Sequence, residues 1–331
     1  MFRKALCLLV SFSALVLTSF AQSSRHFTFH YAFSVKNIPA GEKVRIWIPQ
    51  AHSDQFQEVK VVSASGDLHL KKTHESRYGN EMYYAEMSRA NQPELHFDVT
   101  YDVVRHERLT LGVATPHLES VKLNDRERKE YLAPDKLVPT SGLPAQLAAT
   151  TTEGKTTTVD KARAIYDYVF DNMKYDKTGT GWGHGDVLYA CSAKKGNCTD
   201  FHSLFIAMAR SQGIPARFEI GFPLPDDKHS AEISGYHCWA EFFDPDHGWV
   251  PVDISEAWKH PVKKDYFFGA HDDNRVQFTM GRDLVLNPRQ EGDPLNYFVY
   301  PYVEVAGKEY ANVSNAFSFE DVGTSGAATG R

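Results

Sequence analysis

The chain has 331 residues, 42% hydrophobic and 24% charged, and a formal net charge of -6. This is the composition of an ordinary globular protein, not of a disordered or low-complexity chain. The acidic balance argues against nucleic acid or an anionic membrane as the main partner, because both demand a basic face.

Residues 1–21, MFRKALCLLVSFSALVLTSFA, have the pattern of a secretory leader. Arg3 and Lys4 precede an apolar run from Ala5 to Leu17, and Ser19-Phe20-Ala21 fits a small-x-small cleavage site. The run is short of the roughly 20 apolar residues that a membrane helix needs. The expectation is an exported protein, periplasmic or extracellular, cut near Ala21 and with no membrane span in the mature chain. Cys7 leaves with the leader, so Cys191, Cys198 and Cys238 remain. An odd count in an exported chain predicts a thiol outside any intramolecular disulfide.

Residues 24–110 alternate apolar and polar in short segments separated by turns. HFTFHYAFSV, a Pro-Ala-Gly turn and VRIWI read as a hairpin, and LHFDVTYDV as a further strand. The expectation is an antiparallel, sandwich-like β-domain. Residues 111–158 carry scattered prolines and a charged patch, and read as a connector with at most a short helix. From 159 the spacing is helical, with Asp160 as a candidate cap and Ala162, Ile165, Tyr166, Val169, Phe170 and Met173 on one face. GTGWGHGD (179–186) lacks the Gly-Lys-Ser/Thr ending of a phosphate loop, so a nucleotide site is rejected and a mobile flank of the active site is expected.

A second helix is predicted from 198 to about 212, closed by Gly213. Three strand candidates follow: IPARFEIGFPLP, GYHCWAEFF and GWVPVDIS, the last two joined by a DPDHG turn. Residues 261–305 read as further strands bracing this sheet. A catalytic unit at 159–310 and a disordered tail at 311–331 complete the expected layout.

Cys198 opens its helix, where the dipole and the unpaired N–H groups favour a thiolate and can hold an oxyanion. His237, Trp239, Glu241 and Phe243 share one face of their strand. A hairpin through DPDHG brings Asp253 beside that face. Cys198, His237 and Asp253 are then nucleophile, base and orienter. Trp182 in the glycine loop is a weaker candidate for the oxyanion site. Asp200 and His202 read as helix-start and hydrogen-bonding residues, and Trp239 and Trp249 as core. Cys191 and Cys238 can pair with each other or stay reduced, since the sequence supplies no geometry. The cysteines lack paired zinc-ligand spacing, so no metal site is assigned.

The blocks GNCTDFHSLFIAMARSQGIPARFEIGF, GYHCWAEFF and GWVPVD, within residues 160–255, resemble the transglutaminase-like superfamily, related to papain-like cysteine proteases. The resemblance implies an α+β core in which the Cys198 helix packs on an antiparallel sheet holding His237 and Asp253. It implies Cys198 as nucleophile, His237 as general base and acid, and Asp253 as orienter. The superfamily includes transglutaminases, peptidases, amidases and inactive scaffold members, and the layout is similar to exported bacterial members. The leading expectation is a hydrolase that cleaves peptide, protein or small-amide bonds through a thioester, with no cofactor and no metal. The alternatives are acyl transfer to an amine, and a non-catalytic envelope binding or scaffold module.

Overall fold

The computed structural model describes residues 22–111 and 122–323. The expected leader, and residues 324–331 of the expected tail, lie outside the described residues.

Alternation sets the first elements. β1 (Ser24–Val35) turns Phe27, Phe29, Tyr31, Phe33 and Val35 inward. β2 (Val44–Pro49), β3 (Gln57–Gly66), β4 (Lys71–His74), β5 (Glu81–Met87), β6 (Leu95–His106) and the short β7 (Arg108–Leu109) follow. Along β6 the inward row runs Leu95, Phe97, Val99, Tyr101, Val103 and then Arg105.

Helices come next. α1 (Asp125–Leu132), α2 (Leu143–Thr151) and α3 (Thr158–Asn172) precede β8 (Lys174–Tyr175), α4 (Val187–Ala193), β9 (Lys195–Gly196) and α5 (Cys198–Ser211). The stretch read as a connector thus holds two helices, and α2 packs on α5. The cap of α3 is Thr157, whose hydroxyl accepts the Asp160 N–H, so Asp160 is the third helical residue and not the cap.

The last part is β10 (Ala216–Pro223), β11 (Ser230–Ile233), β12 (His237–Asp244), β13 (Gly248–Val252), α6 (Ile254–Lys259), β14 (Ala270–His271), β15 (Arg275–Met280), β16 (Tyr302–Val305), β17 (Lys308–Glu309) and β18 (Val313–Asp321).

These strands form two five-stranded sheets, ordered β11-β18-β1-β6-β3 and β17-β16-β2-β5-β4, and a four-stranded sheet ordered β13-β12-β10-β15. The molecule is a mixed α and β fold with antiparallel sheets, as the sequence predicts. Three expectations are corrected. β1 and β2 are not a hairpin: β1 pairs with β18 and β6, and β2 with β16 and β5. Alternation fixes which face of a strand is buried, not which strand lies beside it. Residues 313–321 are not a disordered tail but β18, with Phe317 and Phe319 buried against the first sheet. The strands after the core do not all brace its sheet either: β15 does, whereas β16 and β18 return to the sheets that begin the chain.

This return fuses the two halves. Tyr31 of β1 stacks on Phe278 of β15 at 5.4 Å, and Phe29 lies 5.2 Å from Phe222 of β10. Such pairs add about 0.5–1.5 kcal/mol each beyond their buried area. The catalytic-type sheet is therefore seated on a rigid aromatic floor. α5 packs on this sheet, buried along its length from Cys198 to Arg210 between the sheet and α2, α3 and α4. Among the described residues, no helix is long and apolar enough to cross a membrane.

Candidate active site

The start of α5 is fixed by its own residues. The Asn197 side chain accepts the Thr199 N–H at 2.9 Å, and the Asp200 carboxylate accepts the Asn197 N–H at 2.9 Å, a reciprocal capping box. Asp200 also accepts N–H groups from Gly183 at 2.7 Å and Gly185 at 3.0 Å. A Cβ at Gly196 would run into the Asp200 carboxylate, so only glycine admits this fold-back. Asp200 is thus a helix-start residue that also pins the glycine loop.

A second residue holds the same loop from behind. The Arg282 guanidinium donates to the carbonyls of Gly185 at 3.0 Å and His184 at 2.7 Å, and to Ser203 and Asn296. The loop expected to be mobile is tied at both carbonyls and amides. Arg282 lies 97 residues beyond Gly185 in the chain, with no local signal of this role.

Cys198 is the first residue of α5, so its N–H has no intrahelical acceptor. Its thiol interacts electrostatically with the ring of His237, the first residue of β12. His237 Nε2 lies 2.7 Å from Asp253 Oδ2, which leaves Nδ1 as the ring nitrogen for the thiol. The β12–β13 hairpin through Asp244–Gly248 brings this about, and Asp253 follows directly on β13 as the cap of α6. Asp253 is fully buried, yet its oxygens are saturated. Oδ2 also accepts from Arg275 at 2.9 Å, and Oδ1 accepts the Glu256 N–H at 3.1 Å and the Ser255 hydroxyl at 3.3 Å. The structure therefore brings together the three residues singled out from the sequence.

The electrostatics follow from this geometry. Burial alone pushes the Cys198 thiol up. Hydrogen bonds from Cys238 and His237, and the charge of His237, outweigh burial and hold it well below the ordinary thiol range. Burial pushes His237 down, but the charge and hydrogen bond of Asp253 and the bond to Cys198 bring it up to about 10. Asp253 is raised by burial and more strongly lowered by His237 and Arg275, ending well below the carboxylate range. The arrangement is a thiolate–imidazolium pair braced by a carboxylate.

Trp182 is placed differently from expectation. Its indole N–H donates to the Gly179 carbonyl at 3.1 Å and is not a free donor toward Cys198. Trp239 is buried in the core, while Trp249 is half-buried. Cys191, Cys198 and Cys238 are all free thiols. Cys238 faces α5 rather than Cys191: its thiol donates to Thr199 Oγ1 at 3.6 Å and bonds Cys198.

Sequence reasoning undervalued His202 and missed Tyr236. His202 Nε2 accepts the Ile254 N–H at 3.0 Å, and burial pushes its pKa down to about 4, so the ring is neutral and couples α5 to α6. The Tyr236 hydroxyl lies 2.8 Å from Thr199 Oγ1 and accepts from Asn197 Nδ2 at 3.0 Å, bracing the cap from β12's side. A small cavity of about 170 Å³ opens beside His237, lined also by Glu256, His260, Lys263 and Arg275.

Residues 145–254, which span Cys198, His237 and Asp253, match the model of the transglutaminase-like superfamily. An uncharacterised Haemophilus influenzae protein is 29% identical over 307 residues, covering 82% of this chain and 83% of its own. The Bacillus subtilis protein YebA is 27% identical over 131 residues, 35% of this chain and 18% of YebA. The crystal structure of a candidate cysteine protease from Cytophaga hutchinsonii superposes with a TM-score of 0.59 at 15% identity, over 92% of this chain and 93% of that one. The shared fold extends through the sheets as well as the helical core. Residues 145–254 are thus a domain similar to the transglutaminase-like superfamily.

Proposed function

We propose that the protein is an exported cysteine hydrolase that opens amide or peptide bonds through a thioester. The observation that carries this reading is Cys198 at the N-terminus of α5, interacting with a His237 ring that Asp253 holds at 2.7 Å. The Cys198 thiolate attacks the substrate carbonyl carbon. The helix-start N–H groups receive the developing oxyanion. The C–N bond breaks as the His237 imidazolium gives its proton to the departing amine. A water then loses a proton to His237 and attacks the thioester, releasing a carboxylic acid and the thiolate.

Asp253 and Arg275 act through His237, holding its ring and its charge. Burial of the thiol, 2% exposed, restricts attack to slender segments such as an extended peptide or a small amide. Export rests on the charged and apolar pattern of residues 3–21. The chemistry of these residues calls on no cofactor.

Incubation with an activated acyl ester, followed by intact mass and peptide mapping, tests the reading. One acyl group on Cys198, released as free acid, supports it. Release mainly onto a labelled primary amine transfers the reading to acyl transfer. Absence of a Cys198 adduct with every ester tried, in folded protein, contradicts both.

A further inference from the structure

Cys238 directly follows His237 on β12, with its thiol turned onto α5. The proposed reaction gives it no part. A cysteine that only fills a core sits among apolar side chains, but this sulfur meets polar ones. It lies 3.6 Å from Thr199 Oγ1 and 4.0 Å from His202 Nδ1. Thr199 is the residue after Cys198. His202 stands one turn beyond Cys198 on the same helix face, a spacing that puts Cβ atoms about 5–6 Å apart. These contacts fix the Cys238 sulfur against the turn that carries Cys198.

The two thiols differ in state. Cys198 is 2% exposed and held down as a thiolate beside His237, with Cys238 contributing to that shift. Cys238 is fully buried, and burial first and Cys198 second push its thiol well above the ordinary range. A thiolate and a protonated thiol therefore stand side by side, both free, while Cys191 lies apart on α4. His202 accepts the Ile254 N–H through Nε2, so its neutral ring carries its hydrogen on Nδ1, the atom facing the Cys238 sulfur. A donor there favours the anionic form in which this sulfur attacks.

We propose that Cys198 and Cys238 form a reversible oxidation site, in which a peroxide oxidises Cys198 and Cys238 resolves it as an intramolecular disulfide. The Cys198 thiolate attacks one peroxide oxygen and the O–O bond breaks. The departing hydroxide takes the His237 proton and leaves as water, and Cys198 becomes a sulfenic acid. The Cys238 sulfur then attacks the Cys198 sulfur. The S–O bond breaks, and the second hydroxide leaves as water with the Cys238 proton. Two electrons pass from the sulfurs to the peroxide, and one disulfide and two waters result. A water-sized oxidant reaches a thiol that larger reagents do not, and a thiol reductant reverses the step. The disulfide removes the nucleophile and spares it from irreversible oxidation. Its formation stands apart from the acyl-enzyme reading, and only the loss of turnover rests on that reading.

The test uses the full chain, reduced, freed of reductant and treated with dilute hydrogen peroxide. Cleavage after Lys and Arg places Cys191, Cys198 and Cys238 on separate peptides, so non-reducing peptide mapping identifies each pairing. A Cys198–Cys238 cross-link that dithiothreitol reverses is expected. In Cys238→Ser the cross-link should be lost, with a sulfenic acid trapped by dimedone at Cys198 and sulfinic acid accumulating there. Cys238→Ala should behave the same way, which separates the missing thiol from any effect of serine. Sulfinic acid at Cys198 in the wild type as fast as in Cys238→Ser, with no cross-link, overturns the proposal. A cross-link to Cys191, or a folded wild type whose thiols do not react with peroxide, overturns it too.

Discussion

At the start of α5 and around Arg105 near the end of β6, the protein buries charge in two different ways. Cys198, His237, Asp253 and Arg275 form a closed series in which each charge faces an opposite one, and the remaining carboxylate oxygen is filled by N–H and O–H donors. Around Arg105 the series is looser: its Nε is buried without a hydrogen-bond partner, its guanidinium reaches Gln57, and Asp54 acts on it without an ion pair among the described residues. Removing a member from a closed set leaves its partners exposed to the low dielectric, whereas removing a loosely held charge strands no close ion-pair partner. The first region should therefore lose more stability on mutation than the second.

The largest effect expected is at Asp253. Asp253→Ala leaves His237 buried without its close anion and Arg275 with Asp272 as its remaining ion-pair partner, and should cost about 3–5 kcal/mol of stability. Under the proposed reaction it should also slow turnover about a thousandfold or more, since the ring loses its orientation. Denaturant unfolding and steady-state kinetics measure the two. A loss of stability no larger than that of Arg105→Met would break the contrast.

His202 gives the next effect, and its sign follows from its neutral state. Its folded pKa of about 4 lies below the unfolded value, so its contribution is present above about pH 6.5 and is lost as pH falls toward 4. The loss across that window should be about 3 kcal/mol. A His202→Gln chain should unfold with a flatter dependence on pH between those limits, followed by denaturant midpoints.

Arg282→Met removes the donors that hold His184 and Gly185, with an expected cost of about 2 kcal/mol. Hydrogen exchange should rise first at Gly183 and Gly185, if the loop is held as described. Unchanged exchange there would mean that Asp200 alone positions it. The smallest effect is expected at Cys238. Cys238→Ala removes one hydrogen bond to Cys198 and should raise the pH midpoint of Cys198 alkylation by about half to one unit.

Legibility in the sequence divides along the same physical line as local and distant structure. Cys198, His237 and Asp253 stood out because each sits at the edge of an element with its own local signal: a Gly-Asn entry and apolar helix, an alternating strand, and a DPDHG turn into the next strand. The structure brings those three together. Arg275 and Arg282, which complete the site, come from beyond the motif, and nothing around them in sequence announces their partners. The inward faces of β1 and β6 were readable from alternation. Their neighbours were not, because pairing with β18 depends on contacts some 280 residues apart in the chain. The same long-range pairing turned an expected tail into a strand. Trp182 had the right chemistry for an oxyanion donor, but a carbonyl three residues earlier already accepts its N–H.

The central claim is that Cys198 and His237 form a poised ion pair. The pH dependence of alkylation at Cys198, resolved from Cys191 and Cys238 by peptide mapping, in wild type and His237→Ala, tests it most directly. The account predicts rapid labelling of Cys198 well below the ordinary thiol pKa of about 8.5, and loss of that reactivity in the variant. Slow labelling that rises only near pH 8.5, indifferent to His237, would contradict it and favour a non-catalytic role for the fold.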